Sequence, residues 1–435
     1  MNLVVIGCGR LGAPYAAGMA ALGHTVLRLD TDPATITALR AGRAPFAEPG
    51  LAEAITDGAA CGTLTFTDDY HQAAAHADVF ILAVPTPQMP DSDRHDLSIV
   101  FAAVDALTDA LPLRAGALLV VKSSVPAGTC EEITARLTER RPDLTVEVAA
   151  SPDFMREGMS IADVRRPSRI VLGVADNGGA EQTMRRAWAQ CLDAGVPLTV
   201  TTLRTAELCK LAANAYLATR LSFVNALADF SVAVGADIGA LTEVTGHDPR
   251  IGSAYFTPGL GFGGSCLSKD LRGLTALATE RGVRETTALL ASVDRINQQR
   301  RRRAVDLALG HLPDGPAGHR VGVWGVSFKP GIDDIRDSPA LDVAARLSAA
   351  GAEVRVYDPA AMDTARREHP ELCYAGSPAE AADGAAVLMH LTAWPQFARV
   401  DPRGLSPAHP PLLVDARPGL DRPRWRKAGW TVNAL

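Results

Sequence analysis

The feature that most restricts the fold is a glycine pattern directly after the first apolar run of the chain. Leu3–Ile6 is predicted to be a short buried strand, and Gly7-Cys-Gly9-Arg-Leu-Gly12 follows it and opens a helical segment. Glycines permit a tight turn and a close approach of the backbone to a pyrophosphate, which the helix N-terminus attracts. Asp30 ends the second predicted strand, where a carboxylate can accept hydrogen bonds from ribose hydroxyls. The pattern predicts a dinucleotide-binding domain.

The same segment predicts which dinucleotide is bound. A carboxylate at Asp30 would repel the 2′-phosphate of NADP, so the sequence favours NAD as the cofactor. Arg28 lies two residues earlier on the same strand face and leaves NADP open. Arg10 lies inside the glycine turn, where it either contacts the pyrophosphate or is solvent-exposed, and we expect exposure. The predicted cofactor contacts in this segment are Gly7, Gly9, Arg10, Leu11, Gly12 and Asp30.

Short β-branched runs alternate with Ala/Leu-rich helical segments in the N-terminal part of the chain. This alternation is typical of a parallel sheet with helices on both faces. We expect this α/β domain to span residues 1–199. The predicted strands are Leu3–Ile6, Thr25–Leu29, Val79–Val84, Ala117–Val121, Thr145–Ala149 and Ile170–Gly173.

The middle of the chain is predicted to be helical. Thr205–Ala236 has the apolar spacing of one long helix, and Asp270–Leu309 that of a second helical stretch. Residues 200–310 are predicted to form a central helical domain that contains the Cys266 loop. A long amphipathic helix must bury its apolar stripe, so the long helix is predicted to form a homodimer interface. After a Pro/Gly-rich linker, His311–Gly318, a second βαβ pattern begins. The predicted fold is α/β, with two doubly wound Rossmann-like domains (residues 1–199 and 311–435) joined by a long central helix.

Composition excludes several classes of function. The 435 residues are 47% hydrophobic and 21% charged, and a net charge of −6 leaves no basic surface for nucleic acid or anionic lipid. We expect neither a signal peptide nor a membrane span, because the chain starts with a strand and no apolar stretch reaches about 18 residues. The seven cysteines match no zinc or disulfide spacing. We predict a cytoplasmic protein without a metal, in which six cysteines are small buried hydrophobes and Arg300–Arg303 is a solvated helix face.

One cysteine differs from the others in its surroundings. Cys266 follows the glycine-rich run Gly261-Phe-Gly-Gly-Ser, and Lys269 and Asp270 come within the next four residues. Glycines let the backbone approach a ligand, and a nearby cation raises the fraction of the nucleophilic thiolate. Asp270 lies four residues after Cys266 and is expected on the same helix face. A nucleophilic cysteine downstream of a dinucleotide site predicts oxidation through a covalent sulfur adduct.

Two further segments carry candidate catalytic groups. Lys210 and Asn214 lie four residues apart on the long helix, so both can face one point and stabilise an oxyanion. The alternative for Lys210 is an ordinary solvated lysine. Asp153 and Glu157 lie four residues apart in a loop after a strand, and carboxylates suit general acid–base work or the orientation of a water molecule.

Together these motifs resemble the UDP-glucose/GDP-mannose dehydrogenase family, from Gly7 to about Trp430. The resemblance implies that the strand-end loops containing Pro85, Thr86 and Ser124 lie around the nicotinamide. It also implies that Glu157 and Lys269 belong to the cofactor site, although we expect Lys269 to point away from Asp270 and its partners. The family has glutamate at the position of Asp153, assigned as the base. The aspartate is one methylene, or about 1.5 Å, shorter, and Glu157 or a water molecule could compensate.

The resemblance also implies a substrate site for a UDP-sugar. Arg250 would reach the substrate from a neighbouring subunit, and Asp270 would partner the catalytic lysine and orient the hydrolytic water. The predicted substrate contacts are Phe154, Lys210, Asn214, Arg250, Tyr255, Phe262, Gly263, Phe328, Lys329 and Arg417.

The implied reaction is a four-electron, NAD-dependent oxidation of the C6 alcohol of the sugar, with UDP-glucose as the expected substrate. Cys266 would carry a thiohemiacetal and then a thioester. A 6-dehydrogenase acting on a UDP-N-acetylhexosamine or GDP-mannose stays open. A one-step β-hydroxyacid-type dehydrogenase is disfavoured because a single alcohol oxidation needs no thiol. A non-catalytic nucleotide-binding scaffold is disfavoured because Cys266, Lys210, Asn214 and Asp270 are all present.

Overall fold

The computed structural model describes residues 1–110, 113–175, 179–312, 314–408 and 410–435. The chain forms two compact units, Met1–Ala213 and Asn214–Leu435. Pro313, part of the predicted linker, lies outside the described residues. The division into three domains at residues 199 and 310 stays a prediction.

The first unit contains one eight-stranded sheet in the order β3-β2-β1-β4-β5-β6-β7-β8. All neighbouring strands are parallel except the sixth and seventh, which are antiparallel. The strand order reverses beside the first strand, and ligands of doubly wound sheets bind at such a reversal. The strands are β1 (Asn2–Ile6), β2 (Thr25–Leu29), β3 (Leu64–Thr67), β4 (Val79–Leu82), β5 (Ala117–Val121), β6 (Val146–Ala150), β7 (Ile170–Val174) and β8 (Leu198–Thr202).

Helices cover both faces of this sheet, and a separate apolar cluster lies under each helical layer. The central strands are buried on both faces, which explains their continuous apolar runs. All six predicted strands are confirmed, whereas the threonine-containing β3 and β8 were not predicted. The helices are α1 (Gly12–Ala21), α2 (Pro33–Arg40), α3 (Leu51–Ala60), α4 (Tyr70–His76), α5 (Ser98–Asp109), α6 (Thr129–Arg140), α7 (Ser160–Arg165), α8 (Ala180–Ala187) and α9 (Ala189–Asp193).

A 32-residue helix, α10 (Leu203–Val234), links the two units, as the sequence predicted. We expected no segment long and apolar enough to cross a membrane, and this expectation is wrong, because α10 meets both criteria of length and composition. The most apolar 18-residue window of α10 has a mean hydropathy of 1.3, and 33% of that window is buried. However, the helix also buries Glu207, Lys210 and Asn214, whose side chains have polar partners in the protein. These contacts are those of a helix that packs within a folded protein.

The second unit begins with helices and ends with a second sheet. The predicted continuous stretch Asp270–Leu309 is two helices, because Gly282 between them adopts a left-handed φ of +71° that ends the first. The sheet is parallel, in the order β11-β10-β9-β12-β13-β14, with an aliphatic cluster on one face and a tryptophan-rich cluster on the other. It confirms the second doubly wound domain.

The helices of this unit are α11 (Ile238–Gly246), α12 (Leu267–Glu280), α13 (Arg284–Leu309), α14 (Pro339–Ala349), α15 (Met362–Glu368), α16 (Pro378–Ala382) and α17 (Arg422–Lys427). Two 3₁₀ turns span Phe397–Arg399 and Pro402–Gly404. The strands are β9 (Arg320–Trp324), β10 (Glu353–Tyr357), β11 (Cys373–Tyr374), β12 (Val387–His390), β13 (Leu412–Asp415) and β14 (Thr431–Ala434).

Glu207 fastens α10 to the first unit by capping another helix. Its carboxylate accepts hydrogen bonds of 2.6 Å from the backbone N–H groups of both Gly128 and Cys130, at the start of α6. The N-cap residue of α6 is glycine, which has no side chain to accept these bonds.

We predict that Glu207→Ala leaves two backbone donors unpaired and destabilises the first unit by about 2–4 kcal/mol. Hydrogen–deuterium exchange should become faster in peptides from the start of α6, and the urea midpoint should fall. Arg204→Ala is the matched control on the same helix, because its ion pair with Glu131 is exposed (69% and 43%) and such pairs contribute less than about 1 kcal/mol. Equal effects of the two substitutions would contradict the capping role.

Candidate active site

Two residues at the end of β2 hold the glycine turn that follows β1. Gly7 has a φ of +106°, and a Cβ there would lie 2.6 Å from the carbonyl oxygen of Ala83. The Cys8 N–H donates to Asp30 Oδ2 at 2.6 Å, and the buried Arg28 donates to the Cys8 carbonyl at 2.7 Å. Arg28 is therefore used inside the turn and does not offer its charge to a 2′-phosphate, which removes the reason to consider NADP.

The start of α1 fits a pyrophosphate. No side-chain hydrogen bond caps the start of the helix at Leu11. The Ala13 N–H donates to the Gly9 carbonyl at 3.0 Å and Pro14 has no N–H, so an anion at this end would be bound by the N–H groups of Leu11 and Gly12. The expectation that Arg10 is exposed is wrong, because it is half-buried. Its guanidinium pairs with Glu157 at 2.9 Å and lies 4.8 Å from the ring centroid of Phe46. The two residues were assigned separately to the cofactor site, and their ion pair brings them together.

The two strand-end loops predicted to surround the nicotinamide are tied to each other. Thr86 Oγ1 donates to the Ser124 carbonyl at 2.9 Å, and Ser123 Oγ donates to the Val84 carbonyl at 2.7 Å. Pro85, Thr86 and Ser124 therefore lie together where β4 and β5 end.

Lys210 and Asp153 meet within the first unit. Lys210 is buried, with its Nζ 3.9 Å from Asp153 Oδ2 and 5.8 Å from the ring centroid of Phe154. The alternative of a solvated helix lysine is therefore wrong. The guanidinium of Arg169 packs over the Phe154 ring, 3.7 Å from the ring centroid. Asp153 Oδ1 accepts the Met155 N–H at 3.0 Å, which fixes the carboxylate at the start of its loop.

Sequence reasoning missed two residues that position this loop. Glu48, which is buried, accepts the N–H groups of Gly158 and Ser160 at 2.7 and 2.8 Å. Lys122 directly follows β5, and its buried Nζ donates to the Ser151 carbonyl at 3.2 Å. A buried lysine next to two serines is a weak sequence signal, because nothing local predicts burial.

In the second unit, the exposed Cys266 immediately precedes α12, where the helix dipole favours a thiolate. One turn later, the Asp270 N–H donates to the Cys266 carbonyl at 2.9 Å, as the four-residue spacing predicts. The fully buried Asp270 carboxylate accepts from Asn214 Nδ2 at 2.6 Å and from Lys269 Nζ at 2.8 Å. The expectation that Lys269 points away from this group is therefore wrong.

The glycine-rich loop before Cys266 is clamped by buried polar side chains. Arg300 Nε donates to the Gly259 carbonyl at 3.0 Å, and Arg301 donates to the Phe262 carbonyl at 3.2 Å. Asn297 makes two bonds to the backbone of Phe262, accepting from its N–H at 2.8 Å and donating to its carbonyl at 3.0 Å. Arg300 and Arg301 are also ion-paired, with Asp229 and Asp337 respectively. The prediction that Arg300–Arg303 is a solvated face is wrong for these two arginines, which hold the loop.

Residues of the second sheet domain approach the same loop. A Cβ on Gly263 would collide with the Asp337 carbonyl, and one on Gly264, whose φ is +83°, would lie 2.8 Å from the Phe328 ring. Lys329 Nζ lies 5.6 Å from the centroid of that ring.

Arg417 also lies beside this loop. It donates to the Gly261 carbonyl at 2.8 Å and to the Leu391 carbonyl at 3.2 Å. Burial lowers the pKa of Arg417 to about 10, and repulsion by Arg301 and Arg300 contributes. These bonds hold the loop, and contact with a nucleotide stays a prediction.

The segment after α11 presents two predicted substrate residues at the surface. Arg250 is exposed and pairs with Asp248 at 2.6 Å, while Arg220 holds the backbone by donating to the carbonyls of Ile251 and Gly252. Tyr255 has a φ of +56°, which is rare for a bulky residue and marks a constrained backbone. Both residues belong to the second unit.

The other cysteines differ from Cys266, but not all as expected. Cys8, Cys130 and Cys191 are buried, and burial raises the pKa of the Cys8 thiol to about 12 and raises that of Cys130 as well. Cys61 and Cys373 are exposed and Cys209 is intermediate, so the prediction of six buried cysteines is wrong for these three. In the part of the chain that the structure describes, no cluster of three potential metal ligands occurs.

Comparison with known proteins places the chain among nucleotide-sugar dehydrogenases. Residues 1–192 match the NAD binding domain of the UDP-glucose/GDP-mannose dehydrogenase family, residues 204–299 its central domain and residues 322–422 its UDP binding domain. A UDP-glucose 6-dehydrogenase of Rhizobium meliloti is 38% identical over 96% of this chain and 95% of its own length. A UDP-glucose 6-dehydrogenase of Bacillus subtilis is 37% identical over 91% and 88%.

Solved structures agree with this placement. A UDP-glucose dehydrogenase from Pyrobaculum islandicum superposes with a TM-score of 0.90 at 36% identity, covering 99% of this chain and 98% of its own. A UDP-D-ManNAc dehydrogenase from Pyrococcus horikoshii superposes with a TM-score of 0.87 at 25% identity, covering 100% and 99%.

We predict that Gly264→Ala strains the loop that precedes Cys266 and destabilises the second unit by about 2–4 kcal/mol, because a Cβ there combines a left-handed φ with a clash against Phe328. Gly282→Ala is the matched control, because its φ is +71° but its Cβ would contact nothing within 4 Å. The control should cost about 1 kcal/mol.

Urea unfolding measures the stability of both variants. The alkylation rate of Cys266, followed by peptide mass spectrometry with Cys373 as the internal reference, reports on the loop. Only Gly264→Ala should change that rate. An unchanged rate would show that the loop before Cys266 does not depend on this packing.

Proposed function

The chain belongs to the UDP-glucose/GDP-mannose dehydrogenase family, and we propose that it oxidises the C6 alcohol of UDP-glucose to the carboxylate, using two NAD⁺. The observation that carries this proposal is the placement of Cys266. Its exposed thiol lies at a helix N-terminus on a clamped glycine loop, with the Asn214–Asp270–Lys269 cluster one turn away. This arrangement supports a covalent sulfur adduct, which a one-step alcohol oxidation does not need. It also argues against a non-catalytic scaffold.

Each group has a role in this chemistry. When bound, NAD⁺ would supply the hydride acceptor for both oxidations at C6. Asp30 and the start of α1 would hold its adenosine ribose and pyrophosphate. The Cys266 thiolate adds to the aldehyde carbon, and the resulting thiohemiacetal becomes a thioester after the second oxidation. Lys210 and Asn214 donate to the C6 oxygen as it gains negative charge.

Hydrolysis of the thioester requires a base. We assign this role to Asp153 rather than Glu157, because Glu157 is paired with Arg10 and Asp153 lies beside Lys210. The carboxylate takes a proton from water, the water oxygen bonds to the thioester carbon, and the C–S bond breaks to release the Cys266 thiolate. The Met155 N–H, which donates to Asp153 Oδ1 at 3.0 Å, fixes the direction of this carboxylate.

Binding of the UDP moiety is assigned to the second unit. Lys329 and Arg417 would supply positive charge for the diphosphate. Phe262 and Gly263 of the glycine-rich loop, together with Phe328 beside it, would contact the substrate. Exposed Arg250 and the constrained Tyr255 complete the substrate residues, with Arg250 reaching the site of a neighbouring subunit.

We expect purified protein to form two NADH for each UDP-glucose consumed. Cys266→Ser should lower this turnover at least about 100-fold, because the thioester cannot form. Cys373→Ser is the matched control, since Cys373 is also an exposed thiol, and it should retain full activity. One NADH per sugar would favour the one-step dehydrogenase.

UDP-N-acetylglucosamine and GDP-mannose are offered in parallel to identify the sugar. Two NADH from either, and none from UDP-glucose, would reassign the substrate while keeping the mechanism. The absence of NADH with all three sugars would favour the scaffold.

The protein is also proposed to form a homodimer through α10. Tyr216, Phe223 and Phe230 are 61%, 55% and 64% exposed, and their seven-residue spacing places them along one stripe of the helix. Aromatic side chains repeating at this interval are typical of helices that pack against another helix. The exposed free thiols of Cys61 and Cys373 support a reducing compartment, the cytoplasm.

Phe230→Glu should dissociate this dimer, because it places a charge in an apolar interface. Analytical ultracentrifugation should give a dimer mass for the wild type and a monomer mass for the variant. Leu289→Glu is the matched control, since Leu289 is 57% exposed but lies on α13, and it should remain dimeric. A monomeric wild type, or a dimeric Phe230→Glu, would exclude this interface.

A further inference from the structure

Lys122 is a buried charge for which the mechanism above has no role. It directly follows β5 at the carboxyl end of the sheet and is only 6% exposed. Lysine is seldom this buried unless its charge is compensated, because removing an ammonium from water is costly. Its position next to Ser123 and Ser124 puts it at the edge of the sheet where the catalytic loops begin.

Three elements of the first unit surround the Lys122 amine. From β6 and its loop come the Ser151 carbonyl, at 3.2 Å, and the attractive charge of Asp153. From α1 comes the ring of Tyr15, whose centroid is 4.6 Å from Nζ. From α10 comes the repulsive charge of Lys210. Lys122 and Lys210 therefore both act on the one carboxylate of Asp153.

The charge on Lys122 is lost in an accessible range of pH. Burial lowers the pKa of its ammonium to about 8, the Asp153 carboxylate opposes this shift, and Lys210 adds to it. Burial raises the pKa of the Tyr15 hydroxyl, so Tyr15 stays neutral over the same range. Below about pH 8, the cluster holds two cations around one anion, and above it Lys122 is neutral.

We propose that Lys122 is a positioning residue for thioester hydrolysis, whose positive charge and bond to Ser151 hold the ionised Asp153 in place as the base. The proposal rests on the role of Asp153 given above. Ser151 lies two residues before Asp153, so the bond from Lys122 fixes the backbone that carries the carboxylate. Its charge attracts the carboxylate itself, and this second effect disappears when the amine loses its proton.

The test compares the hydrolysis rate of the wild type with that of Lys122→Met as a function of pH. Stopped-flow absorbance follows the two NADH and rapid quench follows UDP-glucuronate, so that hydrolysis is separated from the oxidations. The ratio of the two rates should be at least about tenfold at pH 6.5 and should fall by pH 9.5 to the smaller value left by the bond to Ser151, which the neutral amine can still donate. A purely structural role would give a ratio that does not change with pH, and that outcome would overturn the proposal.

Two further variants test whether the effect passes through Asp153. Lys122→Arg keeps its charge over the whole range, so its rate should follow the wild type at pH 6.5 and exceed that of Lys122→Met. In an Asp153→Asn background, Lys122→Met should cause little further loss, because the carboxylate on which the charge acts is gone. A full additional loss in the double variant would also overturn the proposal.

Controls separate this proposal from misfolding and from failure of the function itself. Lys427→Met, an exposed lysine on α17, should leave the rate unchanged at every pH. Thermal unfolding and NAD⁺ binding check that Lys122→Met is folded. If a constant fraction of the Lys122→Met protein were inactive, the ratio would change by the same factor at every pH, so its pH dependence would be unaffected. If the wild type fails to form two NADH per UDP-glucose, the proposed function fails, whereas two NADH with a flat ratio would reject only the role of Lys122.

Discussion

The clamp of buried polar side chains on the loop before Cys266 is the constraint on which the thiol site depends. A glycine-rich loop has few side chains with which to fix its own conformation, so other elements must hold its backbone. Arg300, Arg301 and Asn297 from α13, Asn225 from α10 and Arg417 after β13 all bond to it. Buried backbone groups that lack partners cost about 1–3 kcal/mol each, so the clamp both fixes Cys266 and avoids that cost.

The two doubly wound domains use an aspartate at the same topological position for different purposes. Asp30 follows β2 and accepts from the Cys8 and Asp32 N–H groups. Asp358 follows β10, and its oxygens accept from five backbone or hydroxyl donors and from the indole of Trp394. A carboxylate with so many partners holds the loop after β9 and has no capacity left for a ribose. The aspartate at this position is therefore available to a ribose in the first domain, whereas in the second domain it positions a loop.

Three charged side chains of the first unit, Lys122, Asp153 and Lys210, lie together near the ends of β5 and β6 and on α10. The Asp153 carboxylate attracts the charge of Lys122, and Lys210 is a second cation beside the same carboxylate. Placing two buried lysines around one carboxylate opposes stability, because burial penalises each charge. Such an arrangement is typical of functional sites, where charged groups are retained for chemistry rather than for folding.

Local patterns in the sequence determined much of this protein. The glycine turn with Asp30, the long α10, the spacing of Lys210 with Asn214, and that of Cys266 with Asp270 all follow from interactions within a few residues or from one regular period. These features also carry the family resemblance. Tertiary structure alone decided that Arg300 and Arg301 are buried, that Arg10 pairs with Glu157, and that Lys122 and Glu48 support the Asp153 loop. The burial of a charged side chain depends on elements distant in sequence, which supply its partners and exclude water only once the chain has folded.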